Sequence, residues 1–355
     1  MADHDDLLVP YWKEFGAALI HWSEYRASGK TLGIIIDRIS TPDAVLNLLG
    51  QAIKQSKVKA IFVGGDGTPK PWKLAEFMTE IIQTNYEMTG VGFDRVMVSN
   101  KVWKAMCNAI KIRNAYQSYI HSLQLSECFP DGIDSEVLME SLTTNAAEVV
   151  LGENGMSSQD ASIIAQCLNS NPALSQLDLR GNRFDDADAA VLADSLSSNT
   201  NLTGLYVDGN NIKEEGRLAF LHAIFDVSSL NSCAASNRTC QIWGLEQDIS
   251  DLNHYKERRH NKWDKIFAML ASSSKDAFIN MALLRGVPAA LMPILLDRAN
   301  DRDKEATSGI TDLYLKMKDM KRCPKHDVWD KLGEKRPLNC VYELFRSLVV
   351  PSIYV

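Results

Sequence analysis

The sequence has no apolar run near the roughly 18–20 residues that cross a bilayer, and no membrane segment is expected. Its opening, Met1 to Asp6, carries acid where a secretory signal carries base. Cysteine is sparse and unpaired: seven residues, at 107, 128, 167, 233, 240, 323 and 340, form no framework. A disulfide scaffold is thereby excluded, and a reducing compartment, cytosol or nucleus, is expected. Asn201-Leu-Thr and Asn237-Arg-Thr are formal glycosylation sequons that lose their meaning without a secretory route. Catalytic signatures are missing too: no H-E-x-x-H and no G-x-S-x-G occurs. Cys233-x6-Cys240 has no second ligand pair nearby, so no metal is expected, and no cofactor. Excess positive charge is also lacking, the net charge being −7. Residues 1–245 hold 19 Lys and Arg against 29 Asp and Glu, while 246–355 hold 19 against 16. Such asymmetry suggests two regions of different character and argues against nucleic acid as a partner of the first.

What the chain does have is repetition. Leu174, Leu177, Leu179, Asn182 and Phe184 recur in the same order and spacing as Leu202, Leu205, Val207, Asn210 and Ile212. One equal step earlier the same places hold Ala146, Val149, Leu151, Asn154 and Met156. A degraded copy is expected one step later, at Leu230, Cys233 and Ala235. Upstream the frame loosens to Ile120-Leu123-Leu125-Cys128, Met88-Val91-Phe93-Val96, Val58-Ile61-Val63-Asp66 and Thr31-Ile34-Ile36-Ile39, about eight copies in all. Alternation within each copy predicts a strand. Between strands, Ala161, Ile164, Ala165 and Leu168 recur as Ala189, Leu192, Ala193 and Leu196, at the 0, 3, 4, 7 offsets of a helix stripe. Asn171 and Asn199 close these helices. Thr41-Pro42-Asp43 predicts a capped start with Pro at the first helical position, followed by a stripe of Val45, Leu48, Leu49, Ala52 and Ile53.

The L-x-x-L-x-L-x-x-N core at a 28-residue period resembles the ribonuclease-inhibitor-like leucine-rich repeats. The stretches Leu230 to Cys240 and Leu338 to Arg346 are similar to a group of repeat proteins of diatom-type algae. The resemblance covers 146–230 closely and 30–145 loosely. It implies an α/β solenoid, a right-handed horseshoe with a concave parallel sheet and convex helices, and it implies protein binding with no catalytic residue. The expected organisation is a helical cap over 1–29 with Tyr11, Phe15, Ala18, Leu19 and Trp22 as its stripe, a solenoid over 30–245, and a helical cap or small domain over 246–355. In the last region the basic cluster Lys256 to Lys262 could bind an acidic surface or phosphates, but the expected reading is the solvated face of a helix carrying Trp263 and Phe267.

Function then falls to the strand positions between the ladder residues. From these, Phe62, Asp94, Gln124, Asp178, Arg180, Tyr206 and Asp208 are the expected partner-binding residues. Asp178 is expected to be exposed, so that its truncation costs within about 0.5 kcal/mol. With Asp37 these aspartates make the face mildly acidic, which predicts a protein partner whose surface is basic or mixed. Two alternatives stand beside a non-enzymatic binding module. One is a regulator of a GTPase or nuclease, by analogy with relatives such as Ran GTPase-activating proteins. The other is a nucleotide site at Gly64-Gly65-Asp66-Gly67-Thr68, which is similar to the G-G-D-G-T motif of diacylglycerol and NAD kinases. Asp66 falls at the repeat's Asn position, and glycines suit the turn there, so a repeat turn is the expected use.

Overall fold

The computed structural model describes residues 6–25, 32–39, 41–65, 70–116, 119–226, 232, 235–246 and 249–253. The chain divides into two compact units, one of residues 1–220 with 239–250, the other of 221–238 with 251–355. The first is an α/β solenoid. Strands β1 (Leu32–Asp37), β2 (Val58–Gly64), β3 (Gly90–Asp94), β4 (Ser122–Ser126), β5 (Glu148–Val150), β6 (Gln176–Asp178), β7 (Gly204–Tyr206) and β8 (Gln241–Trp243) form one parallel sheet in chain order. A helix follows each of the first seven: α2 (Asp43–Gln55), α3 (Pro71–Thr84), α4 (Asn100–Tyr116), α5 (Ser135–Leu142), α6 (Ser158–Asn169), α7 (Asp186–Leu196) and α8 (Glu214–Ile224). Helix α1 (Val9–Tyr25) precedes them. In the second unit, the amide of Asn237 donates to the Ala223 carbonyl and the Asn253 side chain to that of Asn237.

Strand register places the ladder residues opposite one another. Ile61 pairs with Ile34 and Val91, and Leu177 pairs with Val149 and Leu205. All of these side chains are buried, together with Ala161, Ile164, Leu168, Ala189, Leu192 and Leu196 from the helices. The core is thus the layer between sheet and helices, filled at each repeat by two strand residues and one helix stripe.

Two columns of turn chemistry run along this layer. In the first, the Asn182 side chain donates to the carbonyls of Leu151, Leu179 and Arg180, and its oxygen accepts from the amides of Asn154 and Met156. Asn154 reaches Leu125 and serves Cys128 and Phe129; Asn210 reaches Leu179 and serves Phe184. Each Asn therefore joins its own repeat to the one before. In the second column the residue two places past the inner ladder pair has positive φ: Arg38, Gly65, Arg95, Glu127, Glu153, Gly181 and Gly209. The amides of the first six donate to the next repeat, at Gly64, Asp94, Ser126, Gly152, Arg180 and Asp208, over 2.8–3.1 Å. The left-handed turn bends the chain out of the sheet without surrendering the ladder bond.

Side-chain amides also finish the helices. Asn199 donates to Leu168 and accepts from Asn201 and Leu202, and Asn171 accepts from Thr200 and Asn201. Helices α6 and α7 begin on capping boxes at equivalent places of successive repeats, Ser157 with Asp160 and Asp185 with Asp188.

Three expectations are corrected. The eighth strand is Gln241–Trp243, not the stretch around Leu230 to Ala235; Ile242 pairs with Leu205, and Ala235 is helical. The intervening chain is longer than the repeat period allows. Helix α1 buries Gly16, Leu19 and Ser23 while Tyr11, Phe15 and Trp22 are exposed, a stripe rotated by one residue. A Cβ on Gly16 would stand 3.2 Å from that of Ala52, so the glycine draws α1 against α2 on that side. Helix α2 starts at Asp43, with Pro42 extended in the flanking place and without a side-chain cap. The Pro42 carbonyl instead accepts from Val45 and Leu46. Residues Asp66, Gly67, Thr68, Leu230 and Cys233, and the helices expected beyond 253, lie outside the described residues.

Candidate functional site

The side of the sheet turned away from the helices presents residues in rows set by the register. The middle row runs Ile35, Phe62, Gly92, Gln124, Val150, Asp178, Tyr206, Trp243. Of the expected residues, Phe62, Gln124, Asp178 and Tyr206 fall in this row, and Asp94, Arg180 and Asp208 lie two positions further along the chain from it. The face is not uniform; it has two built ends.

At the N-terminal end is a hollow of about 440 Å³ lined by Ile35, Asp37, Phe62, Gly64, Gly92, Asp94 and Gln124. Its shape follows from missing side chains. The Phe62 ring lies across β3, where a Cβ on Gly92 would come within 2.3 Å of it. Ile35, the direct partner of Phe62, is 76% exposed, so an apolar pair stands open to solvent. The rim is ionic. Arg95, bent back by its positive φ, holds Asp94 at 2.5 Å, Asp37 at 3.4 Å and Glu127 at 3.4 Å. Arg38 approaches Asp37 at 3.8 Å.

At the other end is an aromatic stack. Tyr206 and Trp243 are direct cross-strand partners with centroids 4.7 Å apart and planes 11° from parallel. A Cβ on Gly204 would be 3.1 Å from the indole, so that glycine gives the ring its bed. The Arg180 guanidinium lies 5.7 Å from the Tyr206 centroid. Asp178 grips it through Nε at 3.0 and 2.9 Å and also accepts the Arg180 amide. That hydrogen bond and charge hold the Arg180 guanidinium above its ordinary pKa. Burial pushes the Tyr206 phenol up, helped by the carboxylates of Glu148 and Asp178.

Asp178 is therefore not an exposed acid: its side chain is 8% exposed, covered by Arg180. The strand phase holds, but the arginine folds back over its neighbour. Phe62, Gln124, Arg180, Tyr206, Asp94 and Asp208 stand on the face as expected. They are not one cluster; the hollow gathers Phe62, Asp94 and Gln124, and the stack gathers Asp178, Arg180 and Tyr206. Sequence reasoning misses Trp243, because a strict repeat period places the eighth strand too early. The alternation Cys240-Gln-Ile242-Trp before Gly244 carries the signal. It also misses Arg95, whose place in the turn hides it from a strand-phase argument.

Gly64 ends β2 and Gly65 belongs to the left-handed column, its would-be Cβ 3.1 Å from the Arg38 amide. Among the described residues no group of three or more His, Cys, Asp or Glu is placed to hold a metal, and no helix is long and apolar enough to cross a membrane.

No family model and no curated protein matches the chain. Among solved structures it is similar to the actin-binding site 2 of leiomodin-1, at 19% identity and a TM-score of 0.26, over 47% of this chain and 90% of that one. The fold rests on the strand and helix order above, and this likeness adds no argument to it.

Proposed function

We propose that the chain is a leucine-rich-repeat protein of the ribonuclease-inhibitor-like kind that binds a protein partner on the outward sheet face and catalyses no reaction. The observation that carries this reading is the Arg180–Tyr206–Trp243 stack. Trp, Tyr and Arg are the residues that dominate protein interfaces, and here they stand together on glycine-cleared sheet, held in place by Asp178. Among the described residues the buried, free thiols of Cys107, Cys128 and Cys167 support a reducing compartment, cytosol or nucleus. A partner with a basic or mixed surface suits the face.

The test is capture of partners from the source cell by three proteins: wild type, a Phe62→Ala, Trp243→Ala variant, and a Val191→Glu variant on the helical side. A partner retained by the wild type and Val191→Glu but lost at least tenfold from the sheet-face variant supports the reading. Loss only from Val191→Glu overturns it. Thermal unfolding with ATP and magnesium addresses the kinase-like motif: no stabilisation is expected, and a shift abolished in Asp66→Ala would make the chain a nucleotide-binding protein.

A further inference from the structure

The two ends of the sheet face handle charge differently. Among the described residues of repeats one to four each acid on or beside the face has a cation: Asp37, Asp94 and Glu127 share Arg95, and Asp37 has Arg38 besides. Among the described acids on or beside the face in repeats five to eight, Asp178 is paired, with Arg180. Glu148, Glu153 and Asp208 form no ion pair among the described residues. Two of these three are laid over glycine. A Cβ on Gly181 would sit 2.5 Å from the Glu153 side chain, and one on Gly244 would sit 2.3 Å from the Asp208 carboxyl carbon. The carboxylates thus lie along the sheet, beside the Tyr206–Trp243 stack. Apolar exposure runs the opposite way, through Ile35 and Phe62 at the hollow.

Resting on the binding reading above, we propose that the sheet face takes one polarised segment of a protein partner. Its lysine- or arginine-rich part lies over repeats five to eight and its apolar part enters the hollow between Ile35 and Phe62. A cation over repeats five to eight meets three carboxylates outside any ion pair among the described residues, of which Asp208 feels the Arg180 charge. Beside them is an aromatic pair whose Tyr206 ring already lies by Arg180 and whose Trp243 ring also favours positive charge. A cation over repeats one to three would have to compete with Arg95. The hollow offers apolar surface and no unpaired acid. From β2 to β7 are five strand spacings, roughly 24 Å at about 4.8 Å each, which a helix of about 16 residues spans.

The probe is an 18-residue peptide with lysines throughout one half, leucines in the other, and a photoreactive benzophenone at the leucine end. Irradiation with the full chain, followed by mass spectrometry, should place adducts on the strand residues 32–37, 58–64 or 90–94. In a separate anisotropy titration at low salt, a Glu148→Gln, Glu153→Gln, Asp208→Asn variant should bind about tenfold more weakly. Asp37→Asn, Asp94→Asn should change affinity less than twofold. Adducts at repeats six to eight, or equal losses from the two variants, overturn the polarity while leaving sheet-face binding standing. Adducts on the helices, or no binding by the peptide, overturn the proposal, and the first of these also overturns the sheet-face reading.

Discussion

At Asn182 the turn after a strand is held by a neutral amide with five backbone partners. Two and three repeats earlier the same place holds Cys128 and Val96. Cys128 offers a thiol 3.6 Å from the Phe93 carbonyl and 3.2 Å from that of Ser126, and Val96 offers nothing polar. The left-handed position differs as well. In repeats six and seven it is Gly181 and Gly209, and in repeats one, three and four it is Arg38, Arg95 and Glu127, residues that are strained there; Gly65 in repeat two and Glu153 in repeat five run against this division. At the turns that follow the strands, repeats five to seven are thus stitched by amides and repeats one to four by an ionic cluster around Arg95 at the rim. At the helix ends of the earlier half, Asn85, Arg113 and Asn114 bind backbone carbonyls through the interior. One backbone path is held by two chemistries, and they should respond differently to mutation, pH and salt.

The largest contrast is expected at the Asn column. Asn182→Leu leaves five backbone groups without their partner and should cost about 3 kcal/mol or more, whereas Cys128→Val removes a weak donor and should cost about 1 kcal/mol. Urea midpoints of the two variants measure this; equal losses would mean that the amides are not what holds the later half. Next comes Asp178. Being buried under Arg180, its change to Ala should cost about 1–2 kcal/mol, the half-exposed arginine limiting the loss. A loss within the noise would return Asp178 to the exposed acids.

Alkaline pH should single out the earlier half. Burial pushes Cys107 up to about 11 and Cys128 up to about 12, from an ordinary 9.0. The folded chain keeps these protons while the unfolded chain loses them. Their contribution is whole below about pH 9 and drains as pH climbs toward the folded values, by about 1.4 kcal/mol per thiol per pH unit. Cys167 is raised by burial too, so a Cys107→Ser, Cys128→Ala variant should lose less stability from pH 9 to 10 than wild type but still lose some. Chemical denaturation at the two pH values decides; an unchanged slope would remove the thiols from the account. The smallest effect is at the left-handed column. Glu153→Gly should gain about 0.5–1 kcal/mol by relieving strain, while Arg95→Gly should lose about 1 kcal/mol despite the same relief, because three carboxylates lose their cation. Matching signs would show that the Arg95 cluster holds nothing.

The ladder was legible because alternation and a 28-residue period coincide from Ala146 to Ile212, and buried leucines leave few other arrangements. The upstream copies were legible from alternation alone, since their spacing drifts. The helix face of α1 was not, because Gly16 contributes nothing to an apolar stripe and yet decides which side packs closest. Of the candidate site, the outward rows followed from strand phase. What a side chain does after leaving the strand did not: Arg180 turning back onto Asp178, Phe62 lying across Gly92, and Arg95 reaching three acids are choices among rotamers. Trp243 was lost to an irregular connection rather than to ambiguous residues.

The Asn column also bears on how such a chain can change length. Each of Asn154, Asn182 and Asn210 offers the preceding repeat the same fixture and requires the same fixture from the next. Excising or duplicating one whole period between equivalent points therefore closes on a matching seam. Growth and shortening by whole units are open to this stretch through unequal recombination. The ionic stretch has no such seam: Arg95 reaches Asp37, 58 residues earlier, and Glu127, 32 later. Removing one unit there would strand charges in the others, so a change by whole units should cost more there.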